Sequence, residues 1–261
     1  MDILHEIAEH TKRRVCKLKE QYPLAELIDA ASALPKQQSF PFEAALSGQE
    51  LAFICEVKRA SPSKGMIVAQ FPYCDIAKEY EAAGAAAISV LTEPDYFKGH
   101  NQYLSDIATV VSLPILRKDF IVDEYMIYEA KILGASAVLL ICAILEPDTL
   151  TSYIKLAHEL GLSALVEVHD EAEIAMALTA GARIIGVNNR DLKSFQVDVT
   201  LSVRLRALVP DTVLFVAESG IKTANDIKMQ QEHQVDAVLI GETFMRAADK
   251  KRELARLRGQ T

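Results

Sequence analysis

PILRKDFIVDEYMIYEAKILGASAVLLICA, residues 114–143, contains the pattern that decides the fold. A short apolar run, PILRKDF, gives way to a helical stretch, DEYMIYEAKILG, and then to a second apolar run, SAVLLICA. The second run is apolar at successive positions, not at alternate ones. Such a strand is buried on both faces, as in a parallel sheet covered by helices. Gly134 stands where a helix C-terminus commonly takes a left-handed residue before the chain turns back.

The same unit recurs on both sides. The runs FICEVK, AAAISVLT, SALVEVH, RIIGVNN, VLFVAES and AVLIGET complete the series. Helical segments such as YCDIAKEYEAAG, DTLTSYIKLAHELG, EAEIAMALTAG and DVTLSVRLRALV lie between them. About eight such units in roughly 200 residues match a closed (β/α)8 barrel of the TIM type. An open doubly wound sheet would want a GxGxxG turn after its first strand. RASPSKG follows FICEVK instead, so the barrel is preferred. Residues 1–51 differ: a helix is expected over 3–20, with Ile3, Ile7, His10, Arg14 and Leu18 at helical intervals. A second is expected over 24–33, followed by the loop LPKQQSFPF. The expected organisation is one domain over 1–261, with 1–51 as a helical extension and 52–261 as the barrel.

Composition narrows the function. With 50% hydrophobic and 25% charged residues, the 261-residue chain reads as a globular protein. A net charge of −8 argues against nucleic acid as a partner, but not against a small anion held in a local basic pocket. No run approaches the roughly 20 apolar residues of a membrane helix, and MDILHEIAEHTKRRV has no signal-peptide core. The expected location is the cytoplasm. Cys16, Cys55, Cys74 and Cys142 form no CxxC pair, and the six histidines show no metal-ligand spacing, so no metal and no cofactor are expected.

Ionisable residues inside doubly buried strands need a reason, and here they cluster at strand C-terminal ends, where such barrels build active sites. Alternation places Glu56 and Lys58 on one face, with Cα atoms roughly 6–7 Å apart. It likewise groups Lys118 with Leu116 and Phe120, Glu167 with Leu165 and His169, and Asn188 with Arg190. A single strand-end charge is usually solvated or structurally paired. Six converging on one mouth point to catalysis. Lys118 in apolar surroundings calls for a carboxylate partner, with Glu56 or Glu167 available. Glu218 ends the seventh strand, where acting and bracing are both open to it. Ser219 and Gly220 follow that strand, and Gly241 and Glu242 follow the eighth, opening a short helix. Glycines there let backbone N–H groups approach a phosphate, and Lys58 would add positive charge.

EVKRASPSKG, SVLTEPDYFKG, LRKDFIVDEYMIYEAKILGASAVLLI, LVEVHDEAE, GVNNRDL, VAESGI and AVLIGETFM together resemble the successive motifs of indole-3-glycerol phosphate synthases. The likeness runs over nearly the whole chain in matching order. MDILHEI and SFPFEAAL resemble that family's extra helix and the segment covering the barrel mouth. The resemblance implies conversion of 1-(2-carboxyphenylamino)-1-deoxyribulose 5-phosphate to indole-3-glycerol phosphate, carbon dioxide and water. By motif it implies Glu56, Lys58, Lys118, Glu167 and Asn188 as the catalytic set, Ser61, Arg190 and Ser219 as substrate contacts, and Gly220, Gly241 and Glu242 in phosphate loops. The family often has a small hydroxyl residue where Glu242 stands; its side chain is expected to point away. The family implies a monomer.

That chemistry suits these groups. Attack by the carboxylate-bearing ring carbon on a carbonyl builds charge on oxygen, which asks for an acid, assigned to Lys118. Decarboxylation needs no cofactor, because the amino-substituted ring is the electron sink. Loss of a hydroxyl and of a proton from nitrogen asks for a second acid and a base, assigned to Lys58 and Glu167. Glu56 orients the lysines or shares the base role, and Asn188 holds a substrate hydroxyl. Phe97 and Phe120 offer apolar surface to the substrate's aromatic ring. A phosphoribosylanthranilate isomerase would want a Cys/Asp pair that is not found, and a sensor barrel would not need the full set of Lys and Glu.

Overall fold

The computed structural model describes residues 2–35, 39–191 and 194–260. Residues 36–38 of the expected loop and Leu192 of the GVNNRDL motif lie outside them. Eight parallel strands close on themselves, each hydrogen-bonded to its sequence neighbours and the last to the first. They are β1 (Ala52–Val57), β2 (Ala87–Leu91), β3 (Ile115–Lys118), β4 (Ala137–Ile141), β5 (Ser163–Val168), β6 (Ile184–Asn188), β7 (Leu214–Glu218) and β8 (Ala237–Ile240). Helices separate them, among them α4 (Tyr73–Ala83), α5 (Asn101–Val110), α6 (Tyr125–Ile132), α7 (Pro147–Glu159) and α8 (Glu171–Thr179). Gly134 caps the third strand-to-strand helix in the left-handed region, with φ +88°. No helix among the described residues is long and apolar enough to cross a membrane.

Strict alternation divides the strands. Outward-facing Val90, Val138, Val166, Ile185 and Phe215 pack against the helices. Inward-facing Ile54, Leu116, Leu139, Leu165, Ile184, Val216 and Leu239 fill the barrel. One pleat further along the same inward faces stand Glu56, Lys118, Glu167 and Glu218, and Asn188 stands two pleats beyond Ile184 with Gly186 between them. Register pairs Asn188 with Glu218, Leu91 with Lys118 and Ile141 with Glu167, so these polar side chains stand at the C-terminal end of the barrel. The outward face of β3 carries a fully buried Arg117, which donates to Glu129 at 2.5 Å, Met126 O at 2.8 Å and Asn101 at 3.1 Å. Each of these partners belongs to a packing helix, which satisfies a charge that would otherwise be costly.

The first helix, α1 (Ile3–Gln21), lies across the loops that follow β2 and β3. Arg14 reaches Asp119 at 3.2 Å, His10 reaches Asp95 at 3.0 Å and Lys19 reaches Asp123 at 2.7 Å. The stripe it buries is Leu4, Ile7, Thr11 and Val15, a quarter-turn from the expected one. His10 and Arg14 instead edge the barrel mouth, where their polar ends find loop carboxylates.

The other predicted cover sits elsewhere. After α2 (Leu24–Ala33), the segment SFPFEAAL forms α3 (Pro41–Leu46) and closes the opposite, N-terminal end of the barrel. Phe42 and Leu46 are fully buried among Ala52, Ala87, Ala137 and Ala237, the small residues that open four strands. Those alanines leave a hollow that large apolar side chains must fill. Glu43 fixes the plug by accepting from Ser163 at 3.1 Å and Arg183 at 2.8 Å, residues at the starts of β5 and β6. The expectation that the extension covers the mouth therefore holds for α1 and is corrected for α3.

Candidate active site

A cavity of about 330 Å³ opens at the C-terminal end of the strands, within the range of small-molecule sites. All thirteen residues singled out from the sequence border it, and the alternation argument explains why. Glu56, Lys118, Glu167 and Asn188 are inward strand positions, and Lys58 and Arg190 continue two of those faces beyond the strand ends.

The floor is a charge network. Lys118 Nζ lies 3.1 Å from Glu167 Oε2 and 3.5 Å from Glu218 Oε2. Asn188 donates from Nδ2 to Glu167 Oε1 at 3.2 Å, and its Oδ1 accepts from the Arg190 N–H at 3.1 Å, which fixes the amide's orientation. Lys58 Nζ meets Glu56 Oε1 at 2.5 Å. Burial works against a charged Lys118, yet Glu167, Glu218 and Glu56 outweigh it and hold the ammonium above its ordinary range. Burial also opposes ionised Glu167, but Lys118, His169 and the Asn188 hydrogen bond together keep it below its usual value. Glu218 goes the other way, pushed up to about 7, first by burial and then by Glu167 and Glu56 against the pull of Lys118. Its Oε1 is buried without a hydrogen-bond partner among the described residues. The residue read from sequence as either acting or bracing is thus a carboxyl that can hold a proton near neutrality.

Two glycines make room for this set. A Cβ on Gly186 would stand 2.4 Å from Glu218 Oε1, and one on Gly241 would stand 2.4 Å from Glu56 Oε1 and 2.9 Å from Lys58 Nζ. Gly241 therefore brings Lys58 beside the backbone that opens the short helix of the eighth unit, Glu242–Arg246. In the neighbouring loop after β7, Ser219 takes φ +67° and Gly220 φ +84°, consecutive left-handed residues that expose the loop backbone. The Glu242 side chain is engaged by Arg246 at 3.1 Å and Lys64 at 3.8 Å.

Phe97 and Phe120 form one wall, ring centroids 6.0 Å apart and tilted 41°. Glu93 shapes the loop that carries Phe97: its buried carboxylate accepts from the N–H groups of Asp95, Tyr96 and Phe97 at 2.7–3.0 Å. Ser61 lies on a short hairpin after β1. Sequence reasoning missed Ile3 and Ile7 of α1, Phe195 and Lys222, all of which border the cavity. One helical turn between two isoleucines was a usable signal for the first pair. Phe195, with φ +58°, carried none.

The chain matches the family model described as indole-3-glycerol phosphate synthase over residues 4–257. The chain belongs to the indole-3-glycerol phosphate synthase family. A synthase of that name from Ruminiclostridium cellulolyticum is 58% identical, the match covering 98% of this chain and 99% of the relative. Those from Lacticaseibacillus casei and Endomicrobium trichonymphae are each 51% identical, covering 97% of this chain and 97% and 99% of theirs. Among solved structures, 3-hexulose-6-phosphate synthase from Salmonella typhimurium aligns with TM-score 0.66 at 14% identity, over 80% of this chain and 98% of that one. KGPDC from Streptococcus mutans aligns with TM-score 0.63 at 11% identity, over 81% and 97%. At such identities these two likenesses speak for the barrel alone.

Proposed function

We propose that the chain closes the indole ring of indole-3-glycerol phosphate from 1-(2-carboxyphenylamino)-1-deoxyribulose 5-phosphate, releasing carbon dioxide and water. One observation carries the assignment beyond family membership: a half-buried Lys118 is flanked by Glu167 and Glu218 between an aromatic wall and two glycine loops. The substrate has the matching order of parts, an anthranilate ring, a reacting carbonyl and a terminal phosphate.

The ring lies against Phe97 and Phe120, and Ser61, Arg190 and Ser219 contact the substrate's polar groups. The phosphate takes N–H groups of Gly220, Gly241 and Glu242, with Lys58 beside them. In the first step the ring carbon attacks the carbonyl carbon, and Lys118 donates a proton to the developing alkoxide. The carboxylate then leaves as carbon dioxide, its electron pair quenching the cation spread over ring and nitrogen. In the last step Lys58 protonates the departing hydroxyl, and Glu167 removes a proton from the five-membered ring. Glu56 orients Lys58, and Asn188 holds Glu167 and a substrate hydroxyl. The protein acts as a monomer in the cytoplasm, its 261 residues folding as one domain in which α1 and α3 close opposite ends of the barrel.

Purified protein given the carboxyphenylamino substrate produces indole fluorescence, which is easily read because the chain contains no Trp. Folded protein that yields no such emission would sink the assignment.

A further inference from the structure

Glu167 is the least accessible member of the acid–base set, and something must fix it from behind. Lys118 Nζ occupies Oε2, and Asn188 Nδ2 takes one side of Oε1. Approaching that same Oε1 at 3.6 Å is His169 Nε2, a buried ring nitrogen with no hydrogen-bond partner among the described residues. His169 follows the end of β5 and is not part of the cavity wall. Its other side is held by Glu173 in the first turn of α8, whose Oε2 receives the His169 backbone N–H at 2.7 Å and faces Nδ1 at 3.3 Å. A carboxylate faces each nitrogen, Glu173 at Nδ1 and Glu167 at Nε2, an arrangement that favours the protonated ring.

We propose that His169, oriented by Glu173, is a positioning residue for Glu167, holding one carboxylate oxygen in place by charge so that the other faces Lys118 and the substrate. This rests on Glu167 being the base of the proposed reaction. The surroundings agree. Facing His169 are Glu167 at the end of its own strand, Glu218 from β7 and Glu173 from α8. Asp170 is engaged at the cap of α8, accepting from the Glu173 N–H at 2.9 Å. The Cys142 thiol, 3.8 Å from Glu173 O, is pushed up to about 12 by burial and stays neutral. Facing Glu167 from the remaining strands are Lys118, Asn188 and Glu218, with Glu56 across the mouth. Burial opposes a charged His169, but Glu173, Glu167 and Glu218 overcome it and raise the imidazole above its ordinary value. It is therefore charged across the acid range in which Glu167 must stay ionised.

The sign follows. Glu167 works as a carboxylate, so turnover falls as the pH drops through its titration. A neighbouring imidazolium favours the carboxylate and moves that limb to lower pH. The decisive measurement is kcat against pH for wild type, His169→Gln and Glu173→Gln. Gln keeps a donor near Glu167 but carries no charge. The acid limb of kcat should rise by about half a unit or more in His169→Gln, with KM changed less than about twofold. Glu173→Gln should move it the same way by less, because His169 is then charged over a narrower range. A bracing role for His169 would lower thermal stability and leave the limb in place; folded variants with an unmoved limb overturn the proposal. Should His169→Gln not fold, titration of the His169 ring by NMR in the wild-type protein decides instead. A ring that is neutral at the pH of the acid limb overturns the proposal. Wild type without turnover would refute the assigned reaction, while the ring titration would still report on the His169–Glu167 pair.

Discussion

At the scale of single residues, the site depends as much on missing atoms as on present ones. Gly241 sits where a methyl group would strike the Glu56 carboxylate and crowd the Lys58 ammonium. The struck atoms are ends of side chains, so a Gly241→Ala chain folds, but it displaces the pair that aligns Lys58 with the last step. Displacements of this size commonly cost about 10²-fold, and kcat/KM should fall by that order while circular dichroism is unchanged. Activity near wild type would show that the Glu56–Lys58 geometry is dispensable. Lys118→Ala removes the acid of ring closure, and general acids contribute about 10²–10⁴-fold. Single-turnover ring closure should slow by that factor. A variant that closes the ring at the normal rate would take Lys118 out of the first step.

Among elements, α3 invites the clearest test because it lies at the far end of the barrel from the chemistry. Phe42 is fully buried among strand-opening alanines, a packing that leaves little room for collapse after truncation. Phe42→Ala should cost about 3–5 kcal/mol, read as a lower urea midpoint, while KM of the folded fraction is retained. A large rise in KM would mean that the plug communicates with the mouth. This element also marks how far the sequence could be read. Strand alternation has a period of two, so Glu56, Lys118, Glu167 and Asn188 followed from the spacing alone once the strands were placed. Phe42 and Leu46 define an apolar helix face, but nothing in six residues says which end of a barrel it covers. That depends on Ala52, Ala87, Ala137 and Ala237, scattered along the chain and brought together only by closure. Glu173 and Glu93 escaped for a related reason: a carboxylate in a helix's first turn, or after a strand, reads as a solvated charge until the backbone N–H groups it receives are in place.

For the whole molecule, the acidic site and the stability of the fold pull in opposite directions. Glu218 is buried with one oxygen unpartnered among the described residues, close to Glu167, and burial pushes its carboxyl up to about 7 from an ordinary 4.5. Between those values the unfolded chain has released a proton that the folded chain retains. Unfolding is therefore favoured progressively as pH rises through this window, and the loss is complete above it. Glu167, shifted the other way, contributes stability that is lost as pH falls, but it is present in both proteins of a comparison and largely cancels. Glu218→Gln keeps the shape and an acceptor for Lys118 while removing the charge that burial opposes. The variant should match wild type in melting temperature at pH about 4.5 and exceed it by a few degrees at pH about 8. Turnover should fall, because Lys118 loses one of the two charged side chains that hold its ammonium in place. Melting curves at the two pH values, with activity measured on the same samples, make the comparison. A variant less stable than wild type at the higher pH would mean that the Lys118–Glu218 attraction outweighs the burial of the carboxylate. Stability gained at the expense of turnover is the expected outcome for a barrel that gathers three carboxylates around one lysine.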